Sequence, residues 1–347
     1  MLRAIIGTDN ALKTTNPAVG ATFSDWWTTF GHPGLSVGTN ISRVCVDQDG
    51  WISAMTNLSD QIVPFSMNGY VPVNPNKLTI GMRIKTLAVY ANAHSIVHLN
   101  SNVTPNDLSC YLFLAGSGGA PWLSGVGTEY YVEMTYDFVA GTVATKVNGT
   151  SLSSYTPPAM SAAIKAQWAA GNGCIGIRLA SSPGGRYAVR DIYVLDDVAG
   201  DGMVAPLGDQ KMYPVYLDSA VGVEWTTSTG TGTLLDALLA LPPATTTANS
   251  PGSKLPLDMS LRTTAPSGTK INGVQINMVG NSVGVGPTTS KIEVGLNGSS
   301  SPIKYPVLPT TLTSALVGLY PKAPDGTAWD TVKVDTAAVK LTPDTIS

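Results

Sequence analysis

Charge is what this 347-residue chain has least of: Asp, Glu, Lys and Arg together make up 12% of it. Glutamate stands at Glu129, Glu133, Glu224 and Glu293 and nowhere else. Long amphipathic helices cover their solvated faces with Glu and Lys, which cost little in a helix, so helix is expected only in short pieces. The 20 basic and 23 acidic residues give a formal net charge of -3. No basic patch accompanies it, which removes the electrostatic case for nucleic acid or an anionic membrane as partner. No apolar run approaches the roughly 18 residues that span a bilayer, and Met1-Leu2-Arg3-Ala4-Ile5-Ile6-Gly7 is not a signal peptide. A soluble product made in the cytosol, without membrane insertion, is expected. Cysteine is scarce too. Cys45, Cys110 and Cys174 form no C-x-x-C pair, which excludes a disulfide framework or zinc ribbon and makes them small buried hydrophobes.

What is present is the material of strands and turns: 43% hydrophobic residues, with 36 Gly and 24 Pro. In Leu78-Thr79-Ile80-Gly81-Met82-Arg83-Ile84-Lys85 the apolar residues fall on every second position, the mark of a strand with one buried face. Tyr130 to Phe138 repeats the pattern, and after Val139-Ala140-Gly141-Thr142 it resumes at Val143, Thr145 and Val147, so a hairpin is expected. Asn148-Gly149 then supplies the two residues that best tolerate positive φ, the requirement of a type I′ turn. Strands are also expected at Cys174 to Leu179 and Tyr187 to Leu195; in the second the alternation slips, Val189 and Asp191 sharing a face opposite Ile192 and Val194, which leaves a bulge or a two-sided edge position.

At 347 residues two domains are the natural expectation. The Asp- and Gly-rich stretch after Asp196 reads as an exposed connection, which divides the chain into residues 1–198 and 199–347. In the second part, strands are expected at Lys211 to Leu217 and Val221 to Thr226, then a short helix at Leu234 to Leu241 stopped by Pro242-Pro243. Period-two sets follow at Leu257, Met259 and Leu261; Val274, Ile276 and Met278; Ile292, Val294 and Leu296; Ala315, Val317 and Leu319; and Val332 and Val334. The fold class expected is all-β, with two tandem β-sandwich, jelly-roll domains, the second carrying an extended leading segment. Sparse surface charge further implies an oligomer or assembly, because it provides little colloidal repulsion.

Several of these segments resemble tailed-bacteriophage structural proteins with an N-terminal laminin-G-like or concanavalin-A-like jelly roll. The resemblance lies in Trp26-Trp27, in Glu129-Tyr130-Tyr131-Val132-Glu133-Met134 with the hairpin ending Val147-Asn148-Gly149-Thr150, and above all in Arg190-Asp191-Ile192-Tyr193-Val194-Leu195-Asp196-Asp197. In such proteins a similar strand precedes Leu-Gly-Asp and then Trp, as Leu207-Gly208-Asp209 and Trp225 do here, and a second β-domain resembles Leu257 through Trp329-Asp330 to Leu341. The resemblance implies a structural virion protein, tail- or fibre-associated or a capsid decoration subunit. Its partners would be other virion proteins and copies of itself. A glycan-binding module that contacts the host surface is the alternative, and a glycoside hydrolase the third.

The concanavalin-like fold also hosts hydrolases, which makes Glu129 and Glu133 the first catalytic candidates: four residues apart on a strand, both project from one face. Hydrolases of this fold place a third acid between them, where Tyr131 stands, so no catalytic residue and no enzyme activity is expected. His94 and His98 lie in a strand pattern that sets them roughly 13 Å apart, too far for one metal, with His32 the remaining histidine. Asp196, Asp197, Asp201 and Asp209 offer oxygen ligands of the kind calcium takes, without EF-hand spacing; no cofactor is expected beyond that calcium option. Trp51 and Trp122, flanked by Gly50 and Pro121, are the candidates for loop-tip contact with a ligand or a neighbouring subunit.

Overall fold

In the computed structural model the residues described are 2–6, 44–46, 49–54, 61–66, 71–72, 77–88, 95–101, 111–113, 125–152, 156–157, 159–181, 185–198, 206–239, 248–249, 255–280, 290–296, 307–308 and 313–345. They form two compact units, the first reaching Met212 and the second beginning at Tyr213. Both are built from strands, so the protein is all-β. Trp26, Trp27, His32, His94, Cys110, Trp122 and Asp201 lie outside the described residues.

The strands of the first unit are β1 (Leu2–Ile6), β2 (Val44–Val46), β3 (Ile52–Ala54), β4 (Gln61–Ser66), β5 (Lys77–Ala88), β6 (Ser95–Ser101), β7 (Tyr111–Phe113), β8 (Glu129–Asp137), β9 (Thr142–Val147), β10 (Thr150–Ser151), β11 (Gly173–Ser181) and β12 (Gly185–Asp196). One layer runs β10-β9-β8-β5-β12, with β1 and β3 also paired to β12; the other joins β11 to β4 and β6, with β7 beyond β6. The two are linked where the β11–β12 hairpin pairs Ala180 with Arg186. The alternation in β5 puts Leu78, Ile80, Met82 and Ile84 on the inner face, where they share a core with Val132 and Met134 of β8, Leu99 of β6, and Ile175 and Ile177 of β11. Helix α1 (Ala162–Ala169), which the sequence reading leaves unassigned, adds Ile164 and Trp168 to that core. Ser161 caps it, its Oγ accepting from the Ile164 N–H at 3.3 Å.

Two sequence expectations are met in detail. Val147 pairs with Thr150 across Asn148-Gly149, both at positive φ (48° and 80°), as a type I′ turn requires. In β12 the pairing with β5 jumps from Arg190↔Arg83 to Tyr193↔Gly81, so a bulge does sit there, and it leaves Asp191 at φ 52°.

The second unit holds β13 (Val215–Gly222), β14 (Thr226–Thr227), β15 (Ala248–Asn249), β16 (Leu257–Thr263), β17 (Val274–Gly280), β18 (Ser290–Leu296), β19 (Val307–Leu308), β20 (Thr313–Tyr320) and β21 (Ala338–Thr345). Its main sheet is ordered β13-β16-β21-β18-β19, and β17 pairs separately with β20. The core gathers Trp225, Leu257, Met259, Trp329 and Val339, with the Trp329 indole N–H donating to the Tyr320 carbonyl at 2.9 Å. The short helix α2 (Leu234–Leu239) falls where expected.

Two expectations for this unit are corrected. In place of the strands assigned to Lys211–Leu217 and Val221–Thr226 there is one strand, β13, that bridges the gap between them, and its register shifts between Leu217 and Ser219 around an exposed Asp218. Among the described residues β16 is its sole neighbour, so β13 is an edge strand. Val332 and Val334 are not in a strand but in helix α3 (Thr331–Thr336), where Val334 is buried and Val332 exposed. Asp330 decides the matter: its carboxylate accepts from the Lys333 N–H at 2.8 Å, the bond of a helix N-cap.

Gly149→Ala places a side chain at φ 80° and is expected to cost about 1–2 kcal/mol, read as a lower denaturation midpoint at unchanged slope.

Candidate functional site

The candidate acids lie on the outer face of the first layer, away from the core. There the side chains of β8 (Glu129, Tyr131, Glu133), β5 (Gly81, Arg83, Lys85) and β12 (Arg190, Tyr193) stand in rows set by the strand register. Glu133 is opposite Gly81, and Gly81 is opposite Tyr193. With no side chain at Gly81, the Tyr193 ring lies over the middle strand, and a Cβ at that glycine would overlap it. The phenol thereby reaches across β5 and donates to Glu133 Oε1. Its own oxygen lies 2.9 Å from the Tyr131 hydroxyl. Since a phenol carries one hydrogen, Tyr131 donates to Tyr193 and Tyr193 to Glu133. Both phenols are pushed well above their ordinary pKa, first by burial and then by the neighbouring phenol for Tyr131 or the Glu133 carboxylate for Tyr193. They stay protonated, as donors must.

Glu133 is 3% exposed, although it stands on the face of the sheet turned away from the core. Residues 206–212, on the far side of the sequence boundary drawn at residue 198, run over this face. The Gly208 N–H donates to Glu133 Oε1 at 3.3 Å, and the Met212 N–H to Asp191 Oδ1 at 2.9 Å. Burial, more than anything else, pushes the Asp191 carboxyl above the usual range, against the Met212 N–H and the Arg190 and Arg83 guanidiniums.

Glu129 has a different setting. Its carboxylate lies 3.4 Å from Arg190 and 3.9 Å from Arg83. Arg83 also binds Asp209 at 2.6 Å and Asp191 at 3.6 Å. The acid pair is therefore divided between two environments, one sealed by tyrosines and one gripped by arginines.

Trp51 belongs to the same neighbourhood and corrects the expectation of a loop-tip aromatic. It is 1% exposed, with the Arg190 guanidinium carbon 4.3 Å and Lys85 Nζ 5.6 Å from its ring centroid. Gly50, at φ 80°, turns the chain so that the indole folds under these cations instead of outward. The signal that marks this location was legible: an alternation error in β12 beside an Arg-Asp pair.

The aspartates considered for calcium are engaged apart from one another. Asp196 pairs with Arg3 at 2.6 Å, Asp197 accepts from the Lys77 N–H at 2.9 Å, and Asp209 holds Arg83. Among the described residues no group of three or more metal-ligating side chains converges.

No family model matches the chain, and no curated protein does either. Solved structures similar to parts of it include a sialidase, 12% identical with a TM-score of 0.28, covering 43% of this chain and 15% of that one. An endo-1,3-beta-glucanase from Streptomyces sioyaensis is 13% identical with a TM-score of 0.28, covering 55% of this chain and 87% of that one. Peanut lectin is 10% identical with a TM-score of 0.29, covering 46% and 93%.

His98 occupies the other layer, buried in β6 opposite Gly176 of β11. Its pKa is lowered to about 3, by burial first and by the Arg178 charge second.

Two outcomes follow from this geometry. Tyr193→Phe removes the donor that Glu133 relies on and is expected to cost about 1–3 kcal/mol, measured by denaturant unfolding. The depressed His98 pKa means that the unfolded chain binds the proton first, so its contribution to stability is complete above pH 6.5 and is lost as pH falls toward 3. Between about pH 7.5 and about pH 5 the loss is about 2 kcal/mol, and His98→Asn should remove that part of the pH slope.

Proposed function

We propose that the chain is a non-catalytic structural subunit that acts through protein-protein contacts, in the manner its sequence resemblance to tailed-bacteriophage virion proteins implies. The observation that carries the absence of catalysis is the fate of the acid pair. Two-carboxylate hydrolysis needs one acid free to protonate the leaving oxygen and a second free to attack or to activate water. Glu133 is instead held at Oε1 by Tyr193 and by the Gly208 N–H, at 3% exposure. Glu129 is held by Arg190 and Arg83, and Tyr131 fills the place between the two.

On this reading the outer face of the first layer serves the protein's own architecture, and its partners are other particle components and further copies of the chain. Tail, fibre or capsid positions are all compatible with that role. The lectin and glucanase named above give the likeness of a fold, and glycan binding enters as an outcome to be measured.

The expected result is stoichiometric incorporation into purified particles, seen by mass spectrometry, without turnover of host capsule or cell-wall glycan. Turnover that disappears in Glu133→Gln would replace this reading with a hydrolase. Glycan-array binding without turnover would replace it with an adhesion module, and failure to find the chain in any particle would remove the virion assignment.

A further inference from the structure

Residues 206–212 are held to the first unit by side chains and not by strand pairing. They form no strand with the sheet beneath them. Their attachments come from side chains below: Glu133 accepts from the Gly208 N–H at 3.3 Å, Asp191 accepts from the Met212 N–H at 2.9 Å, and Arg83 reaches Asp209 at 2.6 Å and the Gln210 carbonyl at 3.5 Å. Between these anchors the segment closes on itself. Gln210 Nε2 donates to the Leu207 carbonyl at 2.9 Å and to that of Gly208 at 3.3 Å, and Gly208 takes φ 79°. Pro206, Asp209 and Lys211 are exposed, while Leu207 and Met212 are half-buried.

The sheet underneath is shaped for these contacts. Asp191 occupies a left-handed conformation that a non-glycine residue adopts at a cost, at the bulge that leaves its carboxylate bound to the Met212 N–H. Arg83, central on β5, is 13% exposed and uses its guanidinium on the segment as well as on Asp191 and Glu129.

We propose that residues 206–212 are a latch, a segment that opens and recloses over the outer face of the first layer while the sheet stays folded, its closed position set by Arg83, Glu133 and Asp191. Opening breaks a few side-chain contacts and exposes two half-buried apolar side chains, whereas opening the sheet breaks whole ladders and the core. Local openings of this kind have free energies well below that of global unfolding. The contacts that these three residues make with the segment do not depend on any chemistry of the acid pair, so the latch stands whether or not that pair has any.

The test uses the full chain. Tryptic cleavage after exposed Lys211 and amide exchange at Gly208 and Met212 both report the opening. Asp209→Ala removes an exposed carboxylate from the segment and leaves the sheet side chains in place. It is expected to raise both rates about three- to tenfold, and Asp191→Asn to raise them as well, with exchange in β5, β8 and β12 unchanged. Exchange at Gly208 and Met212 that moves only in step with those strands overturns the proposal. So does cleavage at Lys211 that neither variant accelerates.

Discussion

A carboxylate taken out of water has to be met by donors, and Glu133 is where the first unit meets that demand. The solution spans three strands. Tyr193 on β12 can reach Glu133 on β8 because the position between them, on β5, is a glycine. Slipping any one strand by a residue would bring the wrong face forward and leave the acid without its phenol. The row therefore fixes the register of the central strands as firmly as the apolar core does from the other side. Tyr131 extends it by one hydroxyl, and Gly208 completes it from above.

Beside that row a few of the chain's scarce charges are gathered into one cluster. Arg83 and Arg190 meet Glu129, Asp191 and Asp209, with Trp51 beneath one guanidinium. Partly buried charges are tolerable because each is shared among several partners of opposite sign, and removing one would strand the others. A charged cluster over a polar sheet face has the outline of a binding site. Here several of its hydrogen bonds close on the protein's own residues 206–212.

Much of the fold was legible because strands announce themselves by alternation. The inner residues of β5 and β8 and the Asn148-Gly149 turn could be read from spacing alone, and the slip in β12 left a bulge as one of two readings that the pairing with β5 then decides. The errors share a cause, which is that local pattern is silent about distant partners. Two valines at period two fit a helix as well as a strand until the Asp330 cap is known to form. Trp51 next to Gly50 looks like a loop tip until Arg190, far along the chain, is brought over its ring. Glu133 alternates like a solvated residue, and only the fold brings Tyr193 and Gly208 to it. Segment 206–212 has the composition of a linker, and nothing in its residues says that Glu133 and the half-buried Asp191 will hold its backbone.

The edge strand β13 carries exposed apolar residues, Val215 and Val221, and its register shift places Asp218 outward near its middle. A bare, regular edge invites another strand to add on, and repetition of that contact head to tail has no natural end. A bulge bearing a charge interrupts the row of donors and acceptors on which such growth depends. A charged bulge at this position weakens the edge as a template for strand addition.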